Sequence, residues 1–244
     1  MVKDFILIIP ARLESTRLPK KLLINLEGAS ILERTYNCAL KAIGDKEKII
    51  IATDSVLIRD HCKNFGANVL ITSKDCLTGT DRVAEVSEKI KATQYINLQG
   101  DEPIFPIKDL NYFINNAIKN PKEIHTAVTQ INSEKDYRNL SIPKMVFTKS
   151  NKLLYSSRAP IPSNKKNKFK LAYKHVCIYA FNYHHLYEFK NFGRKTFFEN
   201  EEDLEINRFL ELDYTVNCIE VEKGGKAVDT QYDLEVVRKL IIGN

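Results

Sequence analysis

The sequence predicts an α/β protein with a mostly parallel central sheet, helices on both faces and an elaborated second half. Two observations predict it. Short apolar runs alternate with helix-period segments through the first half, the pattern of repeated βα units. The first run, Phe5-Ile6-Leu7-Ile8-Ile9 closed by Pro10, has no polar alternation, which is how a strand covered on both faces reads.

The elements follow in order. After the first strand, Ser30-Ile31-Leu32-Glu33 has the form of a helix N-terminal capping box, and apolar periodicity carries that helix through Ala42. Lys48–Ala52 is the second strand, ending in Thr53-Asp54-Ser55. Val56–Phe65 is a helix with Gly66 as its C-cap. Val69–Ile71 is a third strand, Asp81–Ala92 a helix, and Tyr95–Leu98 a fourth strand ending in Gln99-Gly100-Asp101. In the less regular middle, Ile124–Ile131, Met145–Thr148 and Lys152–Arg158 read as strands, and the lysine-rich Ser163–Lys170 as a mobile surface loop. Val176–Phe181 is a strand, Glu199–Leu212 one charged amphipathic helix, Thr215–Val221 a late strand and Asp233–Ile241 the closing helix. No linker or repeat divides the chain, so residues 1–244 read as one domain.

Composition narrows the function. The 244 residues are 43% hydrophobic and 28% charged, which excludes a disordered or collagen-like chain. No apolar run approaches the roughly 20 residues that span a bilayer. The N-terminus lacks the pattern of a cleaved signal. The five cysteines are odd in number and scattered, which predicts reduced thiols in a cytoplasm and no structural zinc. A net charge of +6 suits an anionic small substrate and is too small and too spread for nucleic acid.

Ligands of an open parallel sheet bind outside the carboxyl ends of its strands. The segments there are Pro10-Ala11-Arg12-Leu13-Glu14-Ser15-Thr16-Arg17-Leu18-Pro19-Lys20-Lys21, then Thr53-Asp54-Ser55, then Thr78-Gly79-Thr80-Asp81-Arg82, then Gln99-Gly100-Asp101-Glu102-Pro103. Basic, hydroxyl-bearing and acidic loops on one rim answer the needs of phosphate beside a divalent metal. Taken singly, each residue has a plainer reading: Asp54 or Asp81 as a helix cap, Asp229 as the start of the last helix. Arg158 reads equally as a structural partner of the Glu199–Glu205 acids, and His175 as a satisfied core histidine. His184 and His185 read as surface residues. Both the dinucleotide fingerprint and the P-loop are absent.

In their order along the chain, these motifs resemble the CMP-Kdo synthetases (3-deoxy-manno-octulosonate cytidylyltransferases). The resemblance starts with Ile8–Arg12, Ser15-Thr16-Arg17-Leu18-Pro19 with Lys21, and Ala52-Thr53-Asp54. Thr78–Arg82 and Leu98–Pro103 extend it. It continues through Leu154-Tyr155-Ser156-Ser157-Arg158 with Ala159–Pro162, and Lys174-His175-Val176 with Ile178–Phe181. It ends with Leu204-Glu205 plus Arg208, and Val228-Asp229-Thr230 with Asp233-Leu234. The resemblance implies a Rossmann-like nucleotidyltransferase fold. It also implies a homodimer, with residues 1–125 as the nucleotide-binding half and 126–244 as the sugar-binding and dimerisation half. The implied reaction joins CMP from CTP to the anomeric hydroxyl of a 2-keto-3-deoxy sugar acid, an activated sugar for lipopolysaccharide or capsule.

Carried over by position, Arg12, Lys21, Asp101 and Asp229 are the catalytic set, with Asp101 and Asp229 as ligands of Mg2+. Ala11, Ser15, Arg17, Thr53, Asp54, Thr80, Arg82 and Gly100 join Arg12 and Lys21 around the nucleotide. Gln99, Arg158, His175, Glu202 and Glu205 face the sugar. The two aspartates are expected to end separate strands and converge. Lys20 and Leu22 stand where glycine and proline are usual, Ser141 and Cys177 where asparagine and glycine are. Ile206-Asn207 replaces the usual Gln-Leu, which predicts a lost polar contact beside the sugar and a changed sugar preference. A different ulosonic or nonulosonic acid, or a lapsed CTP-binding protein, is the alternative.

Overall fold

Each apolar run of the first half becomes a strand because it has two faces to bury. In the computed structural model, which describes residues 2–15 and 17–243, Lys3–Pro10 (β1) is buried continuously from Phe5 onward. Its odd residues Phe5, Leu7 and Ile9 enter one apolar cluster, and its even residues Ile6 and Ile8 enter another. That alternation separates the two helical layers.

Asn25–Leu26 (β2) and Ala29–Ser30 (β3) make a small hairpin through Glu27 and Gly28, both at positive φ. Ser30 then caps Ile31–Ile43 (α1), its hydroxyl accepting from the Glu33 N–H as the sequence predicts. Ile49–Thr53 (β4), Val56–Lys63 (α2), Val69–Ile71 (β5), Gly79–Lys89 (α3) and Ala92–Leu98 (β6) complete the regular βα series. Ile107–Ala117 (α4) was not evident in the sequence; it packs Leu110, Phe113 and Ile114 into the β1 odd-residue layer.

Beyond it come Ile124–Gln130 (β7), Glu134–Arg138 (α5), Lys144–Phe147 (β8), Leu153–Ser157 (β9) and Tyr173–Phe181 (β10). The remaining elements are Tyr183–Asn191 (α6), Phe197–Glu202 (α7), Ile206–Glu211 (α8), Val216–Glu220 (β11) and Gln231–Ile242 (α9). Ser163–Lys170 has no helix or strand and is mostly exposed.

The sheet runs β11-β7-β10-β6-β1-β4-β5, with β8 paired to β10 and β9 to β8. β1 is parallel to both β4 and β6, β4 to β5, and β7 to β11, whereas β10 runs antiparallel to β6 and β7. The chain leaves β1 toward β4 and β5, then returns to lay β6 on the other side of β1. The strand order therefore reverses between β1 and β6, which opens a crevice outside their carboxyl ends.

Three expectations are corrected. The single helix over Glu199–Leu212 is two, broken where Asp203 takes the left-handed conformation (φ 50°, ψ 49°). His185 is buried rather than exposed, because its ring closes the capping box of Asn182 at the start of α6. Ile206, expected beside the sugar, is wholly buried among Phe209 and Phe181 of the second apolar cluster, so it presents nothing to the crevice.

Candidate functional site

The crevice widens into a cavity of about 650 Å³. Its floor is the β1–β6 reversal. One wall is the basic loop after β1; the other is the loop between β11 and α9. Asp101 lies just past β6, where Gly100 must approach the backbone closely: a Cβ there would sit 2.8 Å from the Pro10 carbonyl oxygen. Asp229 does not end a strand as expected. It sits nine residues beyond β11 and is held beside Asp101 by the Val228 N–H donating to the Asp101 carbonyl oxygen (2.9 Å). Nor does it cap the last helix; that role falls to Thr230 with Asp233, so the Asp229 carboxylate is free to face the cavity.

Lys21 joins the two. Its ammonium lies 2.5 Å from Asp101 Oδ2 and 3.0 Å from Asp229 Oδ1, and Arg17 Nη2 lies 2.9 Å from the same Asp229 oxygen. Burial pulls the Lys21 ammonium down, but the Asp101 and Asp229 carboxylates outweigh it and hold its pKa above the ordinary value, so it is a fixed cation at neutral pH. Lys21 reaches this point from a short 3-10 turn, Lys21–Leu23, entered through Lys20 at φ 52°. That left-handed backbone accounts for glycine being usual at the Lys20 position, and the Lys20 side chain is exposed outside the cavity. Leu22 is buried beneath Gly100.

Ala11, Arg12, Ser15 and Arg17 line the cavity from the first loop, and Arg82 from the start of α3; Thr16 is outside the described residues. Gln99, Gly100, Arg158, His175 and Glu205 line it from the other strand ends and the helix break. Four expected contacts lie behind the wall instead. Thr53 is fully buried, its hydroxyl oxygen accepting from Ser55 N–H. Asp54 accepts from Arg82 Nη2 at 3.0 Å, while Arg82 Nη1 donates to Thr72 Oγ1 and the Ser73 carbonyl; Asp54 thus aims the arginine. Thr80 is fully buried, and its N–H donates to Glu205 Oε2 at 2.9 Å. Glu202 accepts from Arg158 N–H and Ser157 Oγ, and its carbonyl accepts from Arg158 Nε at 2.6 Å. The structural reading of Arg158 therefore holds alongside its place in the cavity.

The other side chains at this end are tuned by burial. His175, 5% exposed, is pushed down to about 3 by burial and by Arg158, and its Nε2 is 3.1 Å from Thr126 Oγ1. It is a neutral, satisfied histidine that still borders the cavity. Glu205 is raised by burial, against the Thr80 N–H that favours its charged form, and it also accepts from Gln99 Nε2 at 3.2 Å. Glu102, adjacent to Asp101, is pushed up to about 8 by burial and by Asp101. Its neighbour Gly225 leaves no room for a side chain, since a Cβ would collide with the Glu102 carboxyl and the Phe105 ring. Sequence reasoning missed Lys174, Lys195, Lys226, Tyr179 and Ser141, all lining residues. Alternation along β10 was the available signal for Tyr179, which follows His175 and Cys177 on the cavity side while Val176, Ile178 and Ala180 enter the core. Lys174 is out of that phase.

The acidic pair fits a small hard cation. Asp101 and Asp229 are partly open to the cavity, with side chains 24% and 30% exposed, and one ammonium already sits between them. Among the described residues no cluster of three or more acidic, histidine or cysteine side chains forms a closed metal cage. Magnesium does not need one, because it takes one or two carboxylates and completes its octahedron with water and substrate phosphate.

A cytidylyltransferase family model matches residues 6–216, which include the basic loop after β1 and the Asp101 turn but stop short of the Asp229 wall. The chain belongs to the cytidylyltransferase family. Similar to it is the 3-deoxy-manno-octulosonate cytidylyltransferase of Protochlamydia amoebophila (strain UWE25), 36% identical over 98% of this chain and 95% of that one. The enzyme of the same name from Elusimicrobium minutum (strain Pei191) is 37% identical over 99% of both. A solved structure described as CMP:2-keto-3-deoxy-manno-octonic acid synthetase complexed with CTP superposes with a TM-score of 0.89, at 32% identity over 98% of each chain. The nucleotidyltransferase fold expected from the motifs is the observed one, and this cytidylyltransferase shares it along nearly its whole length.

Proposed function

We infer that the protein transfers CMP from CTP to the anomeric hydroxyl of 3-deoxy-D-manno-octulosonate, releasing pyrophosphate and giving CMP-Kdo. The observation that carries this is the convergence of Asp101, Asp229 and Lys21 at the β1–β6 reversal, in a chain similar along nearly its whole length to enzymes named for this reaction. Attack by a hydroxyl on an anionic phosphorus demands charge neutralisation and in-line placement more than a strong base.

In this reading Arg12, Arg17 and Lys21 neutralise the triphosphate, and their side chains replace the glycine-rich backbone cradle this loop lacks. Ala11, Ser15 and Gly100 let the nucleotide approach the strand tips, and Arg82, aimed by Asp54, closes the nucleotide end. Asp101 and Asp229 would hold Mg2+, which when bound polarises phosphate oxygens and lowers the pKa of the incoming hydroxyl. Gln99 and Glu205 hydrogen-bond each other and face the sugar hydroxyls, Arg158 faces its carboxylate, and neutral His175 shapes the wall. Thr53, Thr80 and Glu202 act through the residues they hold.

The burial of Ile206 removes the main ground for a changed sugar, so Kdo is the acceptor the site supports best. Two further parts of the proposal have their own support. Five free thiols favour a reducing compartment such as the cytoplasm, and no helix of the described residues is long and apolar enough to cross a membrane. A homodimer built on the second half fits the exposure of Leu154 and Phe197 there.

The test is pyrophosphate release from CTP and Mg2+ with Kdo, against a panel of other ulosonic and nonulosonic acids and with UTP or ATP in place of CTP. Release that requires Kdo and CTP together is expected. Asp101→Asn is expected to lose turnover by at least about a hundredfold while keeping the wild-type circular dichroism spectrum. Release with a different acid and none with Kdo overturns the acceptor assignment; wild-type turnover in Asp101→Asn overturns the metal assignment.

A further inference from the structure

Lys144 has the most unusual environment of the cations outside the phosphate site. Its side chain is fully buried, and its ammonium donates to three backbone carbonyls: Asn139 at 3.0 Å, Ile142 at 2.8 Å, and Arg158 at very short range. These acceptors belong to two separate stretches. Asn139 and Ile142 lie in the loop between α5 and β8, which contributes Asn139, Ser141, Ile142 and Pro143 to the cavity wall. Arg158 follows β9 and lines the same end. β8 lies between β10 and β9, with Lys144 opposite Lys174 on one side and Ser157 on the other.

A buried ammonium with carbonyl partners alone is a costly arrangement. Burial pushes Lys144 down to about 8; Arg158 adds to this, and Glu202 offsets it in part. An apolar residue would fill the same space without that cost. What the ammonium alone supplies is a single point from which three diverging donors hold two chain segments together. Arg158 reinforces the junction, since its Nη1 donates to the Leu140 carbonyl at 3.3 Å. The loop and the arginine are therefore tied to each other by both residues.

We propose that Lys144 is a positioning residue for the sugar-acid end of the cavity, gathering the 139–143 loop and the Arg158 backbone so that Arg158 and Ser141 meet the acceptor in one arrangement. The proposal rests on the acceptor reading above. Lys144 does not itself line the cavity, so its effect reaches the sugar only through the segments it holds. The nucleotide end, built from the loops after β1 and β6, is untouched by its removal.

The experiment compares Lys144→Met, which keeps the stem and removes the donors, with wild type. KM is measured separately for Kdo and for CTP by pyrophosphate release, and CTP binding by calorimetry. The expected result is a Kdo KM raised about tenfold or more, with CTP KM and CTP affinity within about twofold of wild type. Equal shifts in both constants, or no shift in either, overturns the proposal. If Lys144→Met is not recovered folded, Lys144→Gln, which retains two N–H donors, decides by the same split with a smaller Kdo effect. Wild-type protein inactive with Kdo refutes the acceptor reading instead; the same constants are then measured with whichever acid the panel reveals, so the two failures are told apart.

Discussion

Lys21 shows why position along a chain and position in space are separate questions. It is 80 residues from Asp101 and 208 from Asp229, yet one ammonium contacts both. The residue types and their order were legible in the sequence, because phosphate and magnesium each ask for a particular chemistry. Direction was not. Thr53, Asp54, Thr80 and Glu202 have the right chemistry in the right segments, yet their side chains turn into the layer behind the wall. Motif membership does not encode which way a side chain points.

His175 is the plainest case of a residue whose surroundings decide its state, and it carries a pH prediction. Burial and Arg158 push it down to about 3, whereas in an unfolded chain a histidine titrates near 6.5. As pH falls through that interval, the unfolded state takes up a proton that the folded state refuses, so stability drops from about pH 6.5 toward the folded value. His175→Gln is expected to flatten the acid side of the pH–stability curve. Thermal midpoints of the two proteins between pH 7 and 4 test this; parallel curves would show that His175 titrates normally in the fold.

At the scale of elements, the strands and the first helices follow from local signals: unbroken apolar runs, the Ser30 cap, and turn residues such as Gly66. The α7–α8 break does not. Charge and periodicity from Glu199 to Leu212 describe one helix, and the sequence carries no proline or glycine to stop it. Tertiary contacts stop it instead. Arg208, wholly buried, takes Glu199 through two 2.6 Å contacts, reaches Asp81 at 3.4 Å and lies over the Phe189 ring. Asp203, held by Lys195 at 3.0 Å, absorbs the turn at positive φ, and Glu205 is thereby delivered to Thr80 and Gln99. Asp203→Val is expected to destabilise the protein by about 1–3 kcal/mol, the cost of a β-branched residue in left-handed backbone. It should also raise the Kdo KM, because Arg158 grips the same helix end. Denaturant midpoints and steady-state kinetics check both effects, and an unchanged midpoint would show that the turn is not strained.

For the molecule as a whole, the reversal of strand order between β1 and β6 gathers the basic loop and the acidic loops at one mouth. The excess positive charge is modest, but Arg12 and Arg17 stand at that mouth and are exposed, so part of the attraction for CTP acts through solvent. Raising ionic strength from about 0.05 M to about 0.5 M, which shortens the screening length severalfold, is expected to lower kcat/KM for CTP several-fold. A CTP dependence insensitive to salt would place the governing contacts with the half-buried Lys21 rather than with the two arginines.

Element order, the two-faced sheet and the chemistry of the loops were readable from the chain, since apolar period, caps and residue type are local properties that neighbours in sequence enforce. Long-range packing settled the rest. It held Asp229 against Asp101 although no strand ends there, and it sank Ile206 into the core. It also bent the charged helix to deliver Glu205 and brought the Arg158 carbonyl to a buried lysine that already holds its near neighbours Asn139 and Ile142. Each of these depends on which surfaces meet once the layers close, and no short window of residues contains that information.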